Sequence, residues 1–266
     1  MPIFLYQIRP LYTAIMLIVM IETASVIGLM LARRFVLPRL NYDDGANDAV
    51  SGTVQAIGVF YGITVGLIAI GVWNTYSNAS DLVSKEAMSI GSLYRDVSGY
   101  PQPIRGELQS KVREYTVFVI NQAWPAQKIG QSYGLLGGTK VMDELQAKLY
   151  TFEPATPGQT ALHSETLQAF NKLIESRNLR ADAVEGGLSS QMWAVIWIGA
   201  IISISVVYFF RIPDLKLHVI LVGLIAGFLA MVLFLIIIND RPFYGFVSVS
   251  SESYELILNR VIDGAR

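Results

Sequence analysis

Four long apolar runs, at residues 11–32, 54–73, 192–210 and 217–238, restrict what this chain can fold into more than any other feature of it. Each is close to the ~20 residues that a helix needs to cross about 30 Å of hydrocarbon at about 1.5 Å per residue. Charged residues make up 15% of the chain, against about a quarter in soluble domains. The expectation is an all-α membrane protein with four transmembrane helices. The first run is too long for a cleaved signal peptide, follows a segment whose one base is Arg9, and is closed by Arg33 and Arg34, so it reads as an anchor.

The stretch between the second and third runs has a different character. Acidic, basic and apolar residues alternate there at helical spacing, and Leu108, Val112, Tyr115 and Val119 fall on one stripe. Breaks at Pro101 and Pro103, at Trp124–Pro125, across a loop at 130–138, and at Pro154 and Pro157 predict helices over 78–97, 104–122, 139–152 and 158–184. No Gly or Pro separates Trp73 from Asp81, so the second span is expected to continue directly into the first of these helices. The expected organisation is spans one and two in 1–76, a helical extramembrane domain inserted at 77–189, spans three and four in 190–240, and a C-terminal extramembrane segment at 241–266. In that last segment Pro242 stops the helix, 246–249 reads as a short extended piece, and 251–262 as a short amphipathic helix with a serine cap.

An even number of spans leaves both termini and the large domain on one face. Arg33, Arg34, Arg39, Arg211 and Lys216 crowd the two short loops on the other, while Arg9 and Arg241 are the only bases comparably close on the domain side. The positive-inside rule then puts the loops in the cytoplasm and the domain and termini outside it.

Several function classes drop out. A net charge of -1 and a pI near 6.1 with no basic block give no footing for nucleic acid. With no cysteine, thiolate catalysis, disulfides and cysteine metal sites are excluded. His163 and His218 are far apart and form no HExxH-type pair, and Gly134, Gly137 and Gly138 lack the preceding strand and the Lys-Ser/Thr of a phosphate loop. The acidic run from Asp43 to Asp48 lacks the later glutamate of an EF-hand and reads as a solvated turn. No catalytic residue, metal site or cofactor is expected.

The second span is more informative. Gly58, Gly62 and Gly66 recur every fourth residue, and at about 100° per residue Ser51, Gln55, Val65, Ala69, Trp73 and Tyr76 share their side. Val54, Ile57, Tyr61, Ile68 and Val72 make a bulkier face. The small side serves either close packing of two helices or the lining of a pore, with Gln55, Gly58, Gly62, Val65, Gly66, Ala69 and Trp73 as candidates and 65–70 as a gate that closes by dewetting. In the first span Glu22 is a lone acid amid apolar residues. An ionised carboxylate there costs about 2.5–3.5 kcal/mol, so it should face protein or water or be protonated. One expectation is a hydrogen bond to Gln55, Thr64, Ser203 or Ser205 that fixes packing; the other is a vestibule or proton-sensitive group.

The order ARR and LP after the first span, ND before the second, then GVFYGITVGLIAIGVW, SKEAMSIGSLYRDV, REYTVFVINQAWP, TFEPATP and NDRPFYG resembles the bestrophin-like family of bacterial and plant membrane proteins. The most specific positions are Glu86, Ala87, Leu93, Tyr94 and Arg95; Tyr115, Trp124 and Pro125; and Asp240, Arg241, Pro242, Phe243 and Gly245. Bestrophins proper are pentameric anion channels whose second helices surround a narrow apolar neck. The resemblance therefore implies a homo-oligomer in the bacterial inner membrane, pentameric where it follows bestrophins, with lipid and small inorganic ions as its other partners. Two departures stand out: residues 54–73 hold no proline-bounded Phe neck, and bestrophins keep their termini and large domain in the cytosol, opposite to the charge reading followed here. In physical terms Asp240-Arg241-Pro242 reads as a helix stop with a local ion pair, and Glu86 and Arg95 as ties from the second helix to its neighbours. A non-conducting membrane scaffold or sensor is the competing function.

Overall fold

The computed structural model describes residues 6–40, 45–131 and 134–264, and these fold as helices joined by turns, with no strand among the described residues. Two compact units result. The span unit comprises Ile8–Asn74 and Gly187–Asp240; the domain unit takes in the rest, chiefly Thr75–Gly186 and Arg241–Arg266. Asp43 and Asp44 of the acidic turn lie outside the described residues.

In the span unit, α1 (Pro10–Leu31) opens on a proline, whose missing N–H is no loss in a first turn. A π-helical turn, Ala32–Val36, and a 3-10 turn, Leu37–Arg39, follow it. Helix α7 (Ser190–Val207) is capped by Ser189 Oγ, which accepts from Met192 N at 3.3 Å. Helix α8 (Leu215–Asn239) is capped by Asp214 Oδ1, which accepts from Lys216 N at 2.9 Å. Helix α1 packs chiefly on α8, burying Leu17 and Leu29 on one side and Val222, Ala226 and Leu233 on the other. The remaining sides stay apolar and open: Leu11, Ile15, Val19, Ile27 and Leu31 on α1, and Leu224, Phe228 and Met231 on α8, are all exposed. In the most apolar part of each long helix, between 17% and 33% of residues are buried. At about 25 cal/mol per Å², so much bare apolar surface would be costly in water. Hydrocarbon removes that cost.

Helix α2 (Ala46–Ser98) is one unbroken helix of 53 residues. It begins well before the apolar run at 54, because hydropathy marks only the lipid-matched part of a helix, while backbone hydrogen bonding carries on through the polar residues before it. Its first part belongs to the span unit and its last part, from Thr75, to the domain unit.

The domain unit adds α3 (Ile104–Phe118), α4 (Trp124–Lys128), α5 (Gly134–Tyr150), α6 (Pro157–Val184) and α9 (Glu252–Ile257), with π-helical turns at Val119–Ala123 and Leu258–Ile262. The α3 stripe of Leu108, Val112 and Tyr115, prolonged by Val119, is buried against a core that includes Ile90, Leu93, Leu145, Leu149 and Leu173. Thr156 caps α6 by accepting from Gln159 N at 3.2 Å, and Gln159 Oε1 accepts in turn from Ala155 N, the residue before the cap, at 2.7 Å.

Three local expectations are corrected. Trp124 and Pro125 do not end the helix: the wide turn at Val119–Ala123 precedes them, so Pro125 falls in the first turn of α4, where no N–H is needed. The second half of the 130–138 loop is helical, and Gly137 has a packing reason, since a methyl there would lie 2.5 Å from the Phe118 ring. The 246–249 piece is not extended throughout, because Phe246 and Val247 lie in a turn that follows Gly245, whose φ is +73°.

Candidate functional site

In the span unit, α2 has a committed side and an open side. Val65 and Val72 are buried, Val54, Ile57 and Ile68 are half-buried, and Tyr61 donates from its hydroxyl to Ile196 O on α7 at 2.9 Å. The opposite arc is open. A methyl group added at Gly58, Gly62 or Gly66 would meet no neighbouring heavy atom within 4 Å, and Val59, Phe60, Ile63, Leu67, Ile70 and Trp73 are exposed. The glycines therefore do not serve close helix packing within the chain.

Of the residues read as a pore-lining face, Gln55, Gly58, Gly62, Gly66 and Trp73 stand on this open side and Ala69 is half-buried at its edge. Val65 does not: it is 3% exposed. At about 100° per residue it lies nearer Tyr61 and Val72 than Gly66, so it packs inward within the chain rather than standing on the open side. The large open residues Ile63, Leu67 and Ile70 lie beyond the glycines around the same helix.

Glu22 is half-buried on α1, and its expected hydrogen bonds are not formed. Gln55 Nε2 donates to Ser51 Oγ, Thr64 Oγ1 to Phe60 O and Ser203 Oγ to Gly199 O, each within its own helix. The carboxylate lies instead over Gly227 of α8, where an added methyl would come within 2.8 Å of Glu22 Oε1. The absence of a side chain at Gly227 makes the room.

The domain unit is organised around another acid. Glu86 is fully buried and receives three residues: Arg180, through Nε to Oε2 and through Nη2 to Oε1 at 3.4 Å; Tyr115, at 2.6 Å to Oε1; and Tyr254, at 3.0 Å to Oε2. Arg180 also donates to Gln127 Oε1 at 3.2 Å and lies 5.9 Å from the Trp124 ring centre. Trp124 in turn meets Phe243 and Tyr254 edge-on at 5.9 and 5.6 Å. Glu86 thereby joins α2, α3, α6 and α9. Burial, and then the Glu86 charge, push the Tyr115 and Tyr254 hydroxyls well above their usual range. Burial opposes the Arg180 charge, but Glu86 and the two tyrosines outweigh it and the guanidinium is held protonated.

This cluster gathers Glu86, Tyr115, Trp124 and Phe243 from the family positions and adds Arg180, Tyr254 and Gln127, which the sequence reading missed. The signal was present: Phe170, Leu173, Arg177, Arg180 and Val184 share one buried stripe of α6, and an arginine on such a stripe needs buried acceptors, of which a carboxylate is the strongest. Arg95 is corrected in the other direction. Nine residues at about 100° each put it on the opposite side of α2 from Glu86, and it is exposed. Tyr94 is buried and donates to Ile262 O at 3.1 Å. Asp240 Oδ1 accepts from Leu188 N at 2.6 Å, Arg241 donates to Glu185 O and Gly186 O, both at 2.9 Å, and Pro242 O accepts from Val249 N at 2.8 Å. These residues fasten the connection between α6 and α7 and the turn after α8.

The histidines are held in place rather than set out as ligands. His163 Nδ1 lies 2.7 Å from Tyr100 Oη, and His218 is buried between Arg33 and Val207 O. Among the described residues no group of three or more His, Asp or Glu side chains could hold a metal ion.

The fold recurs in known proteins. A mutant of a bacterial bestrophin homologue from Klebsiella pneumoniae has a crystal structure that superposes with a TM-score of 0.72 at 10% identity, covering 95% of this chain and 98% of that one. The crystal structure of a mutant described as a membrane protein gives 0.72 at 9% identity over 94% of this chain and 97% of that one. At such identities the likeness is one of fold. No curated protein matches. The family description Bestrophin-like domain matches residues 19–254, nearly the whole length over which the four long helices and the Glu86 cluster are distributed, and the chain belongs to the bestrophin-like family.

Proposed function

We propose that copies of this chain assemble in the membrane as a channel for small inorganic ions, with the open side of α2 turned to a central axis. One observation carries the reading: α2 offers an exposed arc with Gln55 at one end, at whose glycines, Gly58, Gly62 and Gly66, an added methyl would meet no neighbouring atom within 4 Å. Glycines every fourth residue admit another backbone closely or leave carbonyls open to water. The committed side, anchored by Tyr61 to α7, holds that arc outward. Ile63, Leu67 and Ile70 are the exposed apolar residues suited to a constriction that closes by dewetting. Anions are the first expectation, since the bestrophins that the sequence resembles conduct them, and five subunits the first expectation for the assembly. The segment from about residue 77 to 189 forms the extramembrane domain in this reading, and the Glu86 cluster keeps the end of α2 fixed within it.

A scaffold without a conducting path is the competing reading. It is favoured by Phe60, 74% exposed on α2 and large enough to fill an axis. Purified protein reconstituted in vesicles distinguishes the two. Chloride or potassium flux that falls when Ile70→Trp narrows the axis supports the channel. An assembled oligomer that passes neither ion at any voltage, pH or calcium level overturns it.

A further inference from the structure

At one end of the span unit, Arg33, Arg34, Arg39 and Arg211 lie in the connections that follow α1 and α7, and Lys216 in the first turn of α8. The ion pairs Lys111–Glu114, Lys111–Glu144, Arg113–Asp263, Lys148–Glu107 and Arg180–Glu86 all join side chains of the domain unit, and none includes these bases. Arg33 is nevertheless fixed. Its guanidinium donates to Ile212 O at 3.0 Å and Pro213 O at 3.2 Å, and Nη1 lies 3.4 Å from His218 Nδ1. His218 Nε2 faces Val207 O at 3.2 Å, so Nε2 carries the proton and Nδ1 accepts from Arg33. Carbonyls and a neutral imidazole hold the cation without cancelling its charge. Asn47 fixes the backbone of Arg211 from both sides, accepting from its N at 2.8 Å and donating to its O at 3.3 Å, and leaves its exposed side chain without an acidic partner.

Arg33 and Arg211 line one cavity of about 620 Å³, whose other described lining residues carry apolar side chains, with no acid among those described residues. Leu40 is shared between this cavity and a second, of about 390 Å³, lined by Val50 and Thr53 of α2 and by Val206 and Phe209. The basic cavity and the apolar groove thus adjoin. Guanidinium groups pair with phosphate oxygens in a fork geometry, and basic pockets between spanning helices take anionic lipid heads. Arg33 also sits in a π-helical turn, a departure that recurs at functional sites. We propose that this end of the span unit binds an anionic phospholipid, with its phosphate on Arg33 and Arg211 and an acyl chain in the groove beside Leu40. The site requires the helices to span a bilayer but not to conduct.

Native mass spectrometry of the full chain, released from neutral detergent with equal amounts of phosphatidylglycerol and phosphatidylcholine, tests this. Retention of phosphatidylglycerol should exceed that of phosphatidylcholine by roughly fivefold or more. Arg211→Gln should bring the ratio close to one with an unchanged lipid-free melting temperature, because the side chain is exposed. Ala49→Trp, which fills the groove from another side, should lower retention of both lipids. Equal retention of the two lipids by the native chain, or an undiminished ratio in Arg211→Gln, overturns the proposal. So does sodium phosphate that raises the melting temperature as much as phosphatidylglycerol does, since the site would then be one for a small anion.

Discussion

Tyr254 donates a 3.0 Å hydrogen bond to Glu86 from 168 residues away in the chain, and so pins α9 to the C-terminal part of the longest helix, α2. Tyr115 and Arg180 reach the same carboxylate directly, and all three side chains are buried. The contributions of the three are unequal. Arg180→Met leaves an uncompensated buried charge and is expected to cost about 3–5 kcal/mol. Tyr254→Phe removes one hydrogen bond to a charged group, about 1.5–3 kcal/mol. Denaturant unfolding in detergent should rank them in that order, and the double variant Glu86→Leu with Arg180→Met should recover much of the loss of the single arginine change. Equal losses for both single variants would mean that the ion pair is not the centre of the cluster.

The same cluster sets an alkaline limit. Both tyrosine hydroxyls are pushed well above 10.0, by burial first and by the Glu86 charge second. In the unfolded chain they ionise near their ordinary value, so above it the unfolded state releases protons that the folded state keeps. Their contribution is therefore fully present below about pH 10 and is lost as the pH rises further. Thermal melts should show the melting temperature falling above about pH 10, and falling less steeply in the Tyr115→Phe, Tyr254→Phe double variant, although that variant starts lower at neutral pH. Parallel slopes for the two proteins would refute the assignment.

What could be read in the residues, and what could not, divides along physical lines. Apolar runs mark helices by composition, so all four appear near their observed positions, and the unbroken α2 follows from the absence of Gly and Pro between Trp73 and Asp81. Hydrogen-bond geometry is not compositional, and for that reason the wide turn that lets Pro125 stay inside a helical stretch was invisible. Glu86 was singled out by resemblance, but its partners lie 29, 94 and 168 residues away, and spacing within one helix says nothing about such pairings. Val65 was misplaced for a smaller reason: one step of about 100° at the edge of a face decides whether a side chain points in or out.

The open side of α2 can be mapped chemically because the chain has no cysteine. Ile63→Cys and Leu67→Cys, on exposed positions, should form intermolecular disulfides on mild oxidation in membranes. Val72→Cys, buried at 4% exposure, should not. A disulfide needs Cα atoms within about 7 Å, so the pattern of linked positions reports which residues copies bring together. Gly62→Ala should leave the single chain as stable as before, or more stable by up to about 1 kcal/mol from helix propensity. If it also leaves cross-linking at residue 63 unchanged, the glycine arc does not face a neighbouring copy.

Glu22 and Gly227 make a pair whose coupling can be measured directly. A methyl at residue 227 would come within 2.8 Å of Glu22 Oε1, closer than a carbon and an oxygen approach without bonding. The carboxylate ends a flexible side chain, so the expected response is a rotation of Glu22 at about 0.5–1.5 kcal/mol rather than a displacement of α8. Gly227→Ala should therefore lower stability by about that amount in the native background and by much less once Glu22→Ala has removed the obstacle, a non-additivity of the kind neighbouring residues show. Glu22→Gln keeps the shape and removes the charge, so it should preserve the sensitivity to Gly227→Ala. A Gly227→Ala loss that is the same with and without Glu22 would show that the helices, not the carboxylate, set the spacing there.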